Sequence, residues 1–286
     1  VTVSRCSNNY VPYHFPEIEK RRYESVGFVT FADWVTTMPA WVQGLPEGLQ
    51  NIIYQIFQTF VFEDRWRVFW LNGLKTTFII ALGALVLGIV VGILIAVVRS
   101  AHDSKRTRPG VVLRVLNAVC KLYLTVIRGT PVMVQLLLMG FVIMVPKLGS
   151  AEATVCAVIT FGINSGAYVA EIVRSGIMSV DQGQMEAGRS LGLNYVQTMR
   201  YIIVPQAIKN ILPALGNEMI TLVKETSVVM VISVQDLTQA AKVIASKTYL
   251  PLVPYISLAL IYLVIVLIMT KLLAIFERRL RESDRR

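Results

Sequence analysis

The chain has 286 residues, of which 55% are hydrophobic and 16% are charged, and its mean hydropathy is +0.59. A soluble domain usually carries about 25% charged residues, so this composition indicates a membrane protein. The net charge of +10 does not indicate nucleic-acid binding, because the basic residues lie between apolar runs and are not interleaved with aromatic residues along one face. The scattered cysteines and histidines predict neither a disulfide framework nor a metal site; they are Cys6, Cys120, Cys156, His14 and His102.

Residues 1–67 form a polar and amphipathic amino-terminal extension. The segment 47–62 predicts an amphipathic helix at the membrane interface. The cluster Lys20–Arg22 is not followed by a compact apolar core and a small-residue cleavage site, so no signal peptide is predicted. Because the sequence begins with Val1, one hypothesis is that an upstream stretch has been translated and that the true start lies near Met38. A genuine polar tail is the alternative, and the sequence leaves both open.

Five runs are predicted to cross the membrane, because a transmembrane helix needs about 20 mostly apolar residues. Four are uncharged, and the fifth is interrupted by Glu218, Lys224 and Glu225 but is apolar on both sides of these charges. The chain is therefore predicted to be an all-α integral membrane protein, with a transmembrane domain over residues 68–277 and a basic cytoplasmic tail over 278–286. The runs are Thr77–Val98, Gly129–Pro146, Ala153–Ala170, about Ile211–Val234, and Leu250–Thr270.

The basic residues alternate from one gap between spans to the next. The first gap, the third gap and the tail are rich in Lys and Arg, whereas the second gap has only Lys147 and Glu152. The positive-inside rule then places the amino end outside the cell and the carboxyl end in the cytoplasm. The basic residues of the first gap are Arg99, Lys105, Arg106, Arg108, Arg114 and Lys121, and those of the third are Arg174, Arg189, Arg200 and Lys209.

Small residues recur every four positions in the first span, at Ala84, Gly88, Gly92 and Ala96. They line one helix face and allow another backbone to approach closely. We favour packing within one subunit over a contact between subunits.

Charged residues inside the fourth span are costly, by about 2.5–3.5 kcal/mol each on insertion scales, so they should face a protein interior or a wet cavity. One interpretation is a polar translocation path for a charged or zwitterionic solute. A structural ion pair, or snorkelling near one membrane face, is the alternative. The candidate path residues are Glu171, Glu218, Lys224, Glu225, Thr226 and Ser227.

The third gap carries a recognisable motif. Residues Glu186-Ala187-Gly188-Arg189-Ser190-Leu191-Gly192 are followed by nine residues and then by Ile202-Ile203-Val204-Pro205. This closely resembles the cytoplasmic motif of ABC importer permeases, E-A-A, three residues, G, nine residues, I-x-L-P. Gly188 and Val204 depart from the pattern by small apolar exchanges. We expect Glu186 and Ala187 to start a short helix, which Gly192 ends through a positive φ.

The flanking segments narrow the resemblance to polar amino-acid permeases, the histidine, glutamate, glutamine, arginine and opine group, over about Leu71 to Glu277. Three segments resemble signatures of that group: Arg128-Gly129-Thr130-Pro131 with Gln135, Tyr168–Ile177, and Leu222–Ser227. The end of the cytoplasmic motif at Pro205 also resembles the corresponding end in that group. The resemblance implies a type I ABC importer permease fold with a cytoplasmic coupling helix formed by Glu186, Ala187, Gly188, Ser190, Leu191 and Gly192.

The resemblance also implies partners. These are a second permease chain, identical or a sister, two ATPase subunits that grip the coupling helix, an extracytoplasmic solute-binding protein and a polar amino acid as substrate. The chain has no G-x-x-x-x-G-K-[ST] loop, so we expect no cofactor on it, and ATP and Mg on the ATPase subunits. The alternatives are an ion-coupled secondary transporter, a permease for another small solute, or a membrane scaffold that moves no solute. No catalytic grouping is visible, so an enzyme is not expected.

Overall fold

A computed structural model describes residues 31–62, 65, 70–103, 109–144 and 150–283 of the chain. The Lys20–Arg22 cluster, the basic segment 104–108 and the last three residues lie outside the described residues, as does the hypothesis that the chain has an upstream mis-start. The chain divides into two compact units between Gln58 and Thr59, whereas the sequence analysis places the first boundary after residue 67.

The first unit contains three short helices. They are α1 (Phe31–Thr37), α2 (Ala40–Gln43) and α3 (Glu47–Phe60), which continues into the second unit. Helix α3 confirms that this segment forms an amphipathic helix, and its position at the membrane interface stays a prediction. Trp34 is buried, and its ring lies 5.3 Å from that of Tyr54, so aromatic packing holds α1 against α3.

The second unit is built from long helices joined by short breaks. Their bounds are α4 (Asn72–Asp103), α5 (Val111–Gly129), α6 (Val132–Leu138) with a π-helical turn (Met139–Ile143), α7 (Ser150–Met178), α8 (Gln182–Ser190), α9 (Tyr195–Thr198) with a π-helical turn (Met199–Ile203), α10 (Val204–Glu225) with a 3₁₀ helix (Thr226–Ile232), α11 (Leu237–Thr248) and α12 (Leu252–Ser283).

Three helices of the described part are long and apolar enough to cross a membrane, and two bent pairs bring the number to five if each counts as one span. The prediction of about five spans is therefore confirmed. The single helices are Asn72–Asp103, Ala151–Met178 and Leu252–Leu280; the pairs are Val111–Gly129 with Val132–Ile143, bent by 103°, and Tyr195–Ile232 with Leu237–Thr248, bent by 49°.

Helices α4 and α7 form the centre of the second unit, and glycines set their separation. A Cβ added to Gly88 would lie 2.9 Å from the hydroxyl of Ser165, and one added to Gly92 would lie 2.6 Å from the side chain of Val169. Apolar burial drives little helix association in lipid, so this close backbone approach supplies the packing energy. The stripe of small residues thus packs within the chain, as predicted.

Polar contacts show which helix ends share a face of the bundle. Arg174 of α7 pairs with Asp103 of α4 at 3.7 Å, so both carboxyl-terminal ends lie together. Asn210 of α10 donates to the hydroxyl of Ser179 at 2.8 Å, which adds the start of α10 to that face. At the opposite end, the backbone N–H of Leu237, at the start of α11, donates to the Thr77 hydroxyl at 3.5 Å. The gaps predicted to be cytoplasmic therefore meet on one face.

Two segments differ from the sequence-based expectation. Residues 111–128, which were assigned to a gap, lie in the amphipathic helix α5, and α5 also takes in Gly129, the predicted start of the second span. Its apolar residues are interrupted by Arg114 and Lys121 at helical spacing, so no uncharged run reveals it. Helix α12 extends to Ser283, so the start of the predicted basic tail continues the last helix.

Candidate coupling surface and intramembrane polar cluster

The predicted coupling motif lies on α8 and the turn after it. The carboxylate of Asp181 caps the helix by accepting a hydrogen bond from the backbone N–H of Gly183 at 2.6 Å. An acidic N-cap satisfies a free backbone donor and interacts favourably with the positive end of the helix dipole. The helix therefore begins at Gln182, and the prediction that Glu186 and Ala187 start it is wrong.

Gly192 ends the helix with φ +80°, as predicted. Its N–H donates to the carbonyl of Arg189 at 2.9 Å, and the N–H of Leu193 donates to the carbonyl of Gly188 at 3.1 Å. These two bonds form a Schellman motif, which satisfies carbonyls left free at the helix end. Glycine adopts this backbone conformation without the strain that a Cβ would bring.

Gly188 holds α8 against the following segment. It is buried, and an added Cβ would lie 2.6 Å from Cγ2 of Thr198. Thr198 ends α9, whose start is closed by a capping box between Asn194 and Gln197. The departure from the family pattern, glycine where alanine is usual, therefore permits a closer contact between α8 and α9.

The other motif residues are exposed, and Leu191 is 78% exposed. A short helix that is locked at both ends and presents charged, small and apolar side chains can dock as a unit in a partner's cleft. The exposed residues are Glu186, Ala187, Ser190, Leu191 and Gly192.

Ion pairs join helices α4 and α7 near α8. Arg99 of α4 pairs with Glu171 of α7 at 3.5 Å, and Glu171 also pairs with Arg174 at 3.5 Å. The candidate path residue Glu171 therefore has a structural partner that the sequence did not reveal, and its role in the path stays a prediction. A cavity of about 270 Å³ separates this ion-pair cluster from α8, lined among others by Ser100, Asp103, Arg174, Met178, Met185 and Tyr195.

A polar cluster links α7 to α10 and to α6. Ser165, midway along α7, is fully buried and donates to the carboxylate of Glu218 on α10 at 2.7 Å. The neighbouring Asn164 donates to Gln135 at 3.1 Å. The sequence analysis identified Glu218 and Gln135 but missed Asn164 and Ser165. The signal was two adjacent polar residues in an uncharged apolar run, which need partners inside a membrane.

The remaining candidate path residues follow Glu218 along the chain. Lys224 is exposed, and Glu225 and Ser227 are half-buried. Within the described ranges, no ion pair of 4.0 Å or less joins Lys224 to Glu218 or Glu225. Thr226 is fully buried and its hydroxyl donates to the carbonyl three residues earlier at 2.7 Å, so it lines no open surface in this structure.

The family-signature segment Arg128–Pro131 forms the break between α5 and α6. The Arg128 guanidinium carbon lies 5.5 Å from the centre of the Tyr168 ring. The Gln135 amide donates to the Thr130 hydroxyl at 2.8 Å, which ties α6 back to the break. Pro205 lies in the first turn of α10, directly after the π-helical turn Met199–Ile203.

Comparisons with known proteins agree with this architecture. Residues 110–282 match the family described as binding-protein-dependent transport system inner membrane component. The chain is 36% identical over 218 residues to the arginine transport system permease protein ArtQ of Bacillus subtilis (strain 168), covering 76% of this chain and 94% of that relative. It is 34% identical over 223 residues to the glutamine transport system permease protein GlnP of Escherichia coli (strain K12), covering 76% and 97%.

Solved structures show the same fold. A chain from the crystal structure of an amino acid ABC transporter with histidines superimposes with a TM-score of 0.66 at 40% identity, covering 82% of this chain and 99% of that chain. A chain of the inward-facing MetNI methionine ABC transporter has a TM-score of 0.61 at 16% identity, covering 74% and 96%, which shows the fold alone. The chain therefore belongs to the family of binding-protein-dependent transport system inner membrane components, and it is a membrane-spanning ABC permease subunit, not an enzyme.

Proposed function

We propose that this chain forms the translocation path of an ABC importer for a polar amino acid, together with a second permease chain. The observation that carries the proposal is α8, a short exposed helix fixed by Asp181 at one end and by Gly192 at the other. The substrate class is supported by the arginine and glutamine permeases, which are 36% and 34% identical to this chain.

Helix α8 is the element through which an ATPase would act. Two ATPase subunits hold ATP and Mg. Each docks on the α8 of one permease chain and contacts its exposed side chains, among them Glu186, Ser190 and Leu191. In this arrangement α8 faces the cytoplasm, the amino end lies outside, and a solute-binding protein delivers the amino acid at the opposite face. The alternation of basic gaps supports this orientation.

The geometry suggests how a movement of α8 reaches the path. Helix α7 enters α8 through a short turn, and α8 packs on α9, which continues into α10. Ser165 lies on α7 and its acceptor Glu218 lies on α10. A displacement of α8 therefore moves both helices of this hydrogen bond. Pro213 lies inside α10 between its start and Glu218, where a missing backbone hydrogen bond favours bending.

The same cluster supplies groups for substrate recognition. The carboxylates of Glu218 and Glu225 lie on one helix and suit the ammonium group of an amino acid, while the exposed Lys224 suits a carboxylate. A path that offers both signs of charge fits a zwitterionic or charged solute and not an apolar one.

Uptake into proteoliposomes tests the proposal. The full chain is reconstituted with its ATPase, and with a sister permease where one exists. Labelled arginine, glutamine or glutamate is added with the cognate solute-binding protein. We expect uptake that requires ATP on the side of the membrane where the ATPase subunits lie. This uptake should persist when an ionophore collapses the ion gradients. ATP-independent uptake that the ionophore abolishes would refute the ABC assignment and favour an ion-coupled carrier.

A further inference from the structure

A groove of about 560 Å³ lies between α5, the end of α4 and α7. Lys121, Thr125 and Arg128 stand at intervals of four and three residues, which places them on one face of α5. The groove contains no residue of α8 and none of the intramembrane cluster around Glu218. Its polar lining consists of three basic and two hydroxyl-bearing side chains: Arg99, Lys121, Arg128, Thr125 and Tyr168.

The groove carries excess positive charge. Arg99 pairs with Glu171 at 3.5 Å, yet its Nε is buried and has no hydrogen-bond partner among the described residues. The Tyr168 ring orients the Arg128 guanidinium without neutralising it. In the part of the chain that the structure describes, no ion pair of 4.0 Å or less includes Lys121 or Arg128. Three cations beside one carboxylate attract an anion, and a phosphate group accepts hydrogen bonds from several such donors at once.

An exposed apolar stripe lies beside the groove on the same helix. Val115, Val119, Leu122 and Val126 recur at intervals of three and four residues, and each is between 49% and 65% exposed. Helix α5 is bent by 103° from the segment that follows it, so it does not continue the direction of that span. An amphipathic helix with this turn, with basic residues on one face and exposed aliphatic residues on another, is typical of helices that lie along a membrane surface.

We infer that this groove binds the headgroup of an anionic phospholipid from the leaflet at the α8 end of the bundle. Arg99, Lys121 and Arg128 contact the phosphate, and the acyl chains lie along the Val115–Val126 stripe. A lipid satisfies both features at once, because it brings an anionic phosphate and an apolar body to adjacent parts of one helix. A free phosphate ion would leave the stripe uncovered, and a second permease chain would need an acidic partner for the groove. The assignment does not depend on which solute the permease carries.

Native mass spectrometry of the purified full chain in a neutral detergent tests the inference. The probes are phosphatidylglycerol, phosphatidylcholine with the same acyl chains, and inorganic phosphate. We expect retention of phosphatidylglycerol but not of phosphatidylcholine, and no competition from millimolar phosphate. Lys121→Gln removes one cation from an exposed position and should weaken apparent phosphatidylglycerol affinity by about fivefold, the equivalent of about 1 kcal/mol. Arg114→Gln is the matched control, because it removes one charge from the same helix outside the groove.

Several results would overturn the inference. Equal retention of the two lipids, or retention of neither, would exclude a specific anionic headgroup. An equal loss in Lys121→Gln and Arg114→Gln would indicate general attraction to charge. Full competition by inorganic phosphate would assign the groove to a small anion. If the Lys121→Cys variant crosslinked two permease chains while Lys121→Gln left lipid retention unchanged, the groove would belong to a chain–chain contact. Unaltered phosphatidylglycerol affinity in both Lys121→Gln and Arg128→Gln would exclude this groove as the headgroup site.

Discussion

The backbone of Gly192 gives a sharp test of the coupling surface. Its φ is +80°, and among the described residues no heavy atom beyond its chain neighbours lies within 4 Å of the position that a Cβ would occupy. A substitution there changes the backbone energy of the turn and leaves its packing nearly unchanged. A left-handed conformation costs a residue with a Cβ about 1–2 kcal/mol, less for asparagine, and it is most unfavourable for β-branched residues.

This strain predicts a graded loss of coupling. A cost of about 1–2 kcal/mol lowers the population of the closed turn, relative to relaxed alternatives, by a factor of about 5–30. We therefore expect substrate-stimulated ATPase activity to fall in the order wild type, Gly192→Asn, Gly192→Ala, Gly192→Val. The folded yield should stay near normal, because Gly192 is exposed and lies outside every span.

The assay is ATP turnover of the reconstituted complex, with and without the loaded solute-binding protein. Size-exclusion chromatography reports folded yield in parallel. Gly192→Asn is the matched control, because it adds a side chain of similar size to valine in a backbone conformation that asparagine tolerates. Equal stimulation of the Val and Asn variants would refute the argument from φ. Full stimulation of Gly192→Val would remove the turn from the coupling mechanism.

Three further predictions follow from packing, orientation and charge. Gly92→Ala places a Cβ within 3.0 Å of α7 backbone and side-chain atoms and should lower the free energy of unfolding by about 1–3 kcal/mol, measured as a lower thermal unfolding midpoint; Gly48→Ala, at a helical glycine whose added Cβ would meet no described atom within 4 Å, should not. In a cysteine-free background, a membrane-impermeant thiol reagent applied outside intact cells should label Tyr249→Cys but not Leu191→Cys; the reverse pattern would invert the topology. Glu225→Gln should fold normally but lower or redirect uptake, and a low yield with unchanged uptake per complex would make this carboxylate structural.

The sequence predicted the parts of the fold that follow from uncharged length and from local backbone chemistry. The run Thr77–Val98 lies inside α4, and Gly192 has the positive φ that its place after a short helix required. Both features depend on residues close together in the chain, so one sequence is enough to identify them.

Three features were missed, and only the last of them depends on a tertiary contact. Helix α8 starts at Gln182 because Asp181 caps it. In the sequence alone, Asp181 was not distinguished from other acidic residues in loops. The helix α5 was hidden because its basic residues were counted only as a charged gap. Glu171 was assigned to the path from its type alone, and only the approach of α4 to α7 reveals its pairing with Arg99.

Two fixed points of α8 explain why the motif has glycines at positions 188 and 192. Gly192 allows the turn to close, and Gly188 allows the closed helix to contact Thr198. A helix that flexed at either point would absorb a partner's movement within the loop. Because both points are fixed, a movement imposed by the proposed ATPase partner would pass to the neighbouring helices α7 and α10. These two helices carry Ser165 and Glu218, so under the proposed function a movement of α8 would act on a polar contact between α7 and α10.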